Sequence, residues 1–188
     1  GHFHSMSFSP HGKTLAVGVS SAIQFWRTTT GNLLRTIDGP HGETTYSVDF
    51  SPDGTTLASG GTSGGIMLWD AVNFTHLRTF STASGVWRIE FSHSGSLLVF
   101  IEISGSARLL DETNGEELHK LVKTGSYSLQ TTSIAPDSRM IMIGGRFVDK
   151  SMGNFDVWDT SAFGPLCTLE KRAIGNVQCA ALLSPNML

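Results

Sequence analysis

Cysteine is scarce in this chain: Cys167 and Cys179 are the only two in 188 residues. Two are too few for the cross-linked framework of a small secreted domain, and their spacing is not that of a metal site. Both are expected to be buried thiols. Charge is sparse as well. Only 15% of residues are charged, the formal net charge is -3, and Lys171-Arg172 is the sole adjacent basic pair. Nucleic acid and anionic membrane surfaces favour dense basic patches, so neither is expected as a partner. No apolar run approaches the length of a membrane span, and the N-terminus lacks the basic, apolar, small-residue order of a secretion signal. A cytoplasmic location is expected on those grounds. Finally, no segment carries a sustained 3.6-residue apolar period with caps, which excludes any substantial helix content.

What the sequence has in abundance is glycine, 21 residues, set among short apolar runs that recur. Phe8-Ser9-Pro10, Phe50-Ser51-Pro52, Phe91-Ser92-His93, Ile134-Ala135-Pro136 and Leu183-Ser184-Pro185 begin at intervals of 42, 41, 43 and 49 residues. A second landmark follows at a steady offset: Phe25-Trp26-Arg27, Leu68-Trp69-Asp70, Leu109-Leu110-Asp111 and Val157-Trp158-Asp159. A third ends at Ile37, Phe80, Leu121 and Leu169, eleven residues after each of Trp26, Trp69, Leu110 and Trp158. Self-similarity at such a period marks a repeat architecture. The expected units are 1–39, 40–81, 82–123 and 124–173, with the first strand of a fifth over 176–185.

Each unit reads as four short strands. The first alternates, with Met6 and Phe8, Val48 and Phe50, or Ile89 and Phe91 on one packed face. Ser51-Pro52-Asp53-Gly54 then has the chemistry of a tight turn: proline presets its first position, aspartate caps the backbone and Gly54 accepts a positive φ. The second strand is an unbroken apolar run, as in Leu97 to Phe100 and Met140 to Ile143, which implies burial on both faces. The third carries the tryptophan, and a glycine-containing turn leads to the fourth.

These motifs, FSPDG at Phe50 to Gly54, LASG at Leu57 to Gly60 and LWD at Leu68 to Asp70, resemble the WD40 family of β-propellers over nearly the whole chain. The resemblance implies an all-β fold of four-stranded antiparallel blades arranged radially, and a role in docking other proteins or peptides. It also implies a buried hydrogen-bonded set in each unit: a histidine before the first strand, a Ser or Thr on the second, an Asp in the following turn, and the Trp. The second unit supplies His41, Ser59 and Trp69, but Ser63 stands at the Asp position. The first and fourth keep only Trp26 and Trp158, and the third has Leu110. A less rigid array than a full-set propeller is the expectation.

Four full units form an incomplete ring, and each blade hides its apolar faces only against its neighbours. With a start at Gly1 and a stop at Leu188 just inside a turn, the chain is expected to be a segment of a longer protein; completion by a second chain is the alternative. Self-association through the open blade edges follows from either.

Three motifs suggest chemistry. Gly61-Thr62-Ser63-Gly64-Gly65 fits the G-x-S-x-G nucleophile turn, which requires a strand running into a helix; with none expected, Ser63 is read as a turn residue. Gly12-Lys13-Thr14 ends like a phosphate-binding loop but continues as a strand, so no helix N-terminus awaits a phosphate. His2 and His4 could share a strand face, yet nothing completes a metal set. No catalytic residue, metal or cofactor is expected, and the chain is read as a non-enzyme. The alternative is a lactonase-like propeller enzyme or small-molecule sensor.

Candidate partner-binding residues lie on rims. Four positions before each phenylalanine landmark come His4, Tyr46, Trp87 and Gln130, at the strand end that in the resembled family faces the channel mouth. Exposed aromatics there suit a binding hot spot; packing between blades is the competing reading, and a local bulge would decide which way they point. The fourth unit is longer between its second and third strands, from Gly144 to Asn154. Arg146, Phe147 and Lys150 are candidates there, against the alternative of a tolerated insertion.

Overall fold

A computed structural model describes residues 2–63, 65–121, 127–147, 153–162 and 164–171. Among these residues there is no helix. Sixteen strands are present: β1 (Phe3–Phe8), β2 (Thr14–Val19), β3 (Ala22–Arg27), β4 (Asn32–Asp38), β5 (Thr45–Phe50), β6 (Thr56–Gly61), β7 (Ile66–Asp70), β8 (His76–Phe80), β9 (Val86–Phe91), β10 (Leu97–Glu102), β11 (Ala107–Asp111), β12 (Glu117–Lys120), β13 (Tyr127–Ile134), β14 (Met140–Phe147), β15 (Gly153–Asp159) and β16 (Gly164–Lys171). They form four sheets of four, each strand beside the next in sequence. The chain divides into two compact units: residues up to Phe91 with Glu102–Ser104, and Ser92–Ile101 with Gly105 onward. The expected fifth first strand, 176–185, lies outside the described residues, as does Cys179.

The tryptophans take matching places. Trp26 pairs with Leu15, Trp69 with Leu57, Leu110 with Leu98 and Trp158 with Ile141. In every sheet the third-to-fourth strand register shifts just before that residue, so the repeat extends to its irregularities.

In the first unit the faces of two sheets close over Ala16, Ile23, Phe25, Val48, Phe50, Leu57 and Trp69. The first strands are also fastened side by side by polar side chains. Ser5 Oγ accepts the Val48 N–H at 3.2 Å, and Ser47 Oγ repeats the contact on the Ile89 N–H at 3.0 Å. Ser7 Oγ accepts the Phe50 N–H at 3.2 Å and donates to Asp49, whose other carboxylate oxygen accepts the Phe91 N–H at 2.9 Å. Those amides face away from their own sheet, so the side chains satisfy donors that burial would otherwise orphan. In the second unit the core is Val99, Ile101, Ala107, Leu109, Leu121, Ile141, Ile143 and Trp158.

The turn chemistry is as the residue types dictate. Gly54 has φ +73°, Ser51 Oγ donates to Asp53 Oδ1 at 2.6 Å, and Asp53 accepts the Thr55 N–H at 3.0 Å. Asp70, Asp111 and Asp159 each accept backbone N–H groups two and three residues on, closing the turn into the fourth strand. The Thr113 and Ser161 hydroxyls, which donate to Asp111 and Asp159, and these backbone hydrogen bonds hold the three carboxyls below the usual carboxylate range.

Two expectations need correction. Met6 and Phe8 alternate as a packed strand should, yet they are 63% and 59% exposed, because no described sheet covers that face. And Gly144 to Asn154 is not one long loop. Gly144 pairs with Phe155, Gly145 with Asn154 and Arg146 with Gly153, since ladder hydrogen bonds use backbone groups that glycine retains.

At Gly61 the need for glycine is steric. A Cβ there would lie 2.1 Å from the Thr44 carbonyl oxygen and 2.6 Å from His41 Cβ. Gly61→Ala is expected to cost about 3 kcal/mol or more, since backbone must move. Gly12→Ala, where a Cβ meets nothing within 4 Å and only the φ of +65° is strained, should cost about 1 kcal/mol. Urea denaturation midpoints compare the two, and equal losses would contradict the steric account.

Candidate functional site

The aromatic positions at the starts of the first strands are irregular in a repeated way. The β1/β2 register shifts between Phe3 and Ser5, the β5/β6 register between Thr45 and Ser47, and the β13/β14 register between Leu129 and Thr131. His4, Tyr46 and Gln130 are the extra residues of these bulges, and a bulge re-aims its side chain. Trp87 holds the same repeat position in β9.

In the first unit the outcome is a continuous row. Tyr46 lies 4.8 Å from Trp87, His4 lies 5.5 Å from Tyr46 edge-on, and His2 lies 6.4 Å from His4, all between ring centroids. Trp87 remains 43% exposed, His4 is exposed and Tyr46 half-buried. The two readings of Trp87 therefore both hold in part: it packs against Tyr46 and still presents a face to solvent. Sequence reasoning missed His2 as a member of the row, although its i, i+2 spacing to His4 was a usable signal.

The row is held firmly. Thr45 is buried and its N–H donates to Ser20 O at 2.7 Å, while Ser47 is fastened to β9. Before Trp87, Gly85 O accepts the Ile103 N–H at 2.7 Å, and Val86 is fully buried. Backbone fixed on both sides of an aromatic lowers the ordering cost of binding.

The other candidates are not gathered there by anything described. Gln130 is half-buried on β13 in the second unit. Arg146 and Phe147 sit at the end of β14, paired with Ser128 and Tyr127. Lys150 lies outside the described residues.

The buried set of the second repeat is present in part. Trp69 Nε1 donates to Ser59 Oγ at 2.7 Å, and His41 Nε2 lies 2.8 Å from the same oxygen. His41 and Ser59 are fully buried. Burial lowers the His41 pKa from 6.5 to about 4, because the imidazolium would have to be desolvated. His41 Nδ1 has no hydrogen-bond partner. That is where the missing aspartate is felt: Ser63 is exposed, and its N–H reaches only the His41 carbonyl, at 3.0 Å. In the fourth sheet Trp158 Nε1 is likewise buried without a partner, since Ile143 occupies the place of Ser59.

Ser63 lies in the turn between antiparallel β6 and β7, so no helix start stands behind it, as a nucleophile turn would need. Among the described residues no group of three or more His, Cys, Asp or Glu could hold a metal ion. Among the described residues no helix is long and apolar enough to cross a membrane.

Comparison with known proteins agrees with the geometry. The WD40 family (WD domain, G-beta repeat) matches residues 31–70, the stretch holding His41, Ser59, Trp69 and Asp70. No curated protein matches the chain in sequence. Among solved structures, hydrazine synthase of Kuenenia stuttgartiensis is similar in fold, with a TM-score of 0.81 at 15% identity over 89% of this chain. The chain spans 49% of that structure's length, and at this identity the likeness concerns the fold alone. Four antiparallel four-stranded sheets, three of them with a tryptophan at one recurring place, are consistent with the blades of a β-propeller, and residues 31–70 match a WD40 repeat.

Proposed function

We propose that this chain is a non-catalytic recognition module that binds a protein or peptide along the row His4, Tyr46 and Trp87. The observation that carries the reading is that row: three neighbouring rings on rigid strand starts, with Trp87 43% exposed. Tryptophan and tyrosine bury much surface for little lost entropy and dominate measured hot spots. WD40 repeats generally mediate protein interactions, which supports the same class of partner. Nucleic acid and membrane lipid are disfavoured by the absence of Lys or Arg from the row. A lactonase-like activity is disfavoured too, because His4, Tyr46, Trp87 and Gln130 provide no carboxylate for acid–base or metal chemistry. An intracellular setting is part of the proposal, supported by the low cysteine content of two in 188 residues.

The test is affinity capture with the protein and with a Tyr46→Ala/Trp87→Ala double variant. One specific partner should be retained by the former and lost by the latter, with affinity falling about 30-fold or more, the effect of roughly 2 kcal/mol at a hot spot. The protein and the double variant should melt within a few degrees of one another. Undiminished capture by the double variant, or metal-dependent turnover of a small molecule, would overturn the reading.

A further inference from the structure

The third repeat departs from the second at one buried acid. Glu102, the last residue of β10, is 1% exposed, and a carboxylate is costly to bury unless hydrogen bonds replace its water. Its Oε1 accepts the Ala83 N–H at 2.9 Å, from the loop that leads into β9. We propose that Glu102 is the positioning residue for Trp87: through this loop it sets where the indole stands in the row. The importance of that placement rests on the docking reading of the row.

The register explains why an acid stands here. Leu98 pairs with Leu110 as Leu57 pairs with Trp69, so Glu102 holds the place of Gly61. In the second repeat His41 fills the adjoining space: a Cβ on Gly61 would lie 2.6 Å from His41 Cβ. His41 stands five residues before Tyr46, and five before Trp87 the third repeat has Thr82. Threonine is smaller and leaves room for a side chain from β10, while Phe100, in the place of Ser59, offers no hydroxyl to a histidine. In the second repeat the loop reaches into the sheet, His41 to Ser59. In the third the strand reaches into the loop, Glu102 to Ala83.

The hold continues through the next two residues. The Ser104 N–H donates to Ser84 Oγ at 3.2 Å, and the Ile103 N–H donates to Gly85 O at 2.7 Å. On the side of the second sheet, Thr82 Oγ1 accepts the Gly65 N–H at 2.8 Å. Val86 is fully buried against Gly60, where a Cβ would come 2.7 Å from Val86 Cγ1. Trp87 follows directly. Residues 102–104, 60–65 and 82–87 all belong to the first compact unit. Of the bonds that residues 102–104 make to this loop, the one to Ala83 uses the Glu102 side chain, so substitution removes it without touching the loop.

Fluorine NMR of the protein labelled with fluorotryptophan reads its four tryptophans separately, the Trp87 signal being the one lost in Trp87→Phe. In Glu102→Ala the Trp87 signal should move toward its position in the denatured protein, while those of Trp26, Trp69 and Trp158 keep theirs. Glu102→Gln, whose amide oxygen still accepts the Ala83 N–H, should leave Trp87 close to its original signal. Affinity for a partner captured through the row should fall about tenfold in Glu102→Ala and less than about threefold in Glu102→Gln, because a displaced anchor must be re-ordered on binding. A Trp87 signal unmoved in Glu102→Ala would overturn the proposal. So would movement of all four signals together, which marks general loss of structure, or a glutamine variant that moves Trp87 as far as alanine does. The NMR result needs no partner. If Trp87 moves as expected but the Tyr46→Ala/Trp87→Ala variant captures all that the protein captures, the docking reading fails and the placement of Trp87 by Glu102 stands.

Discussion

Trp69→Ala is expected to lower the stability of the chain by about 3 to 5 kcal/mol, the range for emptying a buried indole site. Trp69 is buried in the core of the first unit and donates from Nε1 to Ser59 Oγ at 2.7 Å. Truncation removes the packing and leaves a cavity, and it also takes one of the two partners that hold Ser59 between Trp69 and His41. Trp69→Phe separates the two effects. It keeps most of the ring volume and loses only the N–H, so its cost should be about 1 to 3 kcal/mol, that of a buried polar group losing its partner. Trp26→Ala sets the scale from the other side: Trp26 is half-buried and lines an open groove, and its truncation should cost clearly less than that of Trp69. Urea unfolding at constant m-value reads all three. A loss at Trp69 no larger than at Trp26 would mean that the repeat position, rather than burial, sets the cost.

Acidification should weaken the fold between pH 6.5 and 4, through His41. Its folded-state pKa is lowered from 6.5 to about 4 by burial, so in this window the unfolded chain binds a proton that the folded chain refuses. Stability from this group is fully present above pH 6.5 and lost as pH falls toward 4, by up to about 3 kcal/mol at 1.36 kcal/mol per pH unit. Asp53, Asp70, Asp111 and Asp159 have lowered values and add their losses only below the usual carboxylate range. Asp49 is shifted the other way, upward by burial, so it partly offsets the decline near its lower end. Ser63→Asp tests the cause. A carboxylate in that turn would give the unpartnered His41 Nδ1 an acceptor and a compensating charge, raising the His41 pKa, flattening the slope between pH 6.5 and 4 and adding about 1 kcal/mol at neutral pH. Denaturant midpoints measured across pH 4 to 7 on both proteins read the effect. A flat profile in the unmodified chain would contradict the burial of a neutral imidazole.

Much of the fold was legible because its cause is local and periodic. The turn at Ser51 to Gly54 is made by a proline, an aspartate and a glycine in adjacent positions, and its φ of +73° at Gly54 is what those types require. His41, Ser59 and Trp69 were placed in one buried set, and they share it. Legibility failed where the deciding partner is distant in sequence. The fastening of Ser7 to Phe50 spans 43 residues, and the equivalent Asp49 contact to Phe91 spans 42; serine in one repeat and aspartate in the next concealed a shared role. Gly144-Gly145 read as loop chemistry, but pairing with Phe155 and Asn154 needs only backbone groups. The bulges at His4 and Tyr46 leave no mark in residue type, so whether those rings point outward could not be read from alternation.

The sequence by itself determined that about every forty residues a small twisted sheet begins, which turns join its strands, and which third-strand position is a core anchor. These follow from backbone preferences and from the two-residue alternation of a strand. Tertiary structure alone decided which faces are covered and which rings meet. Phe8 and Phe50 are the same residue in the same repeat position, yet one is 59% exposed and the other buried. A strand's pattern specifies which side is apolar, and only a neighbouring sheet supplies the surface that removes it from water.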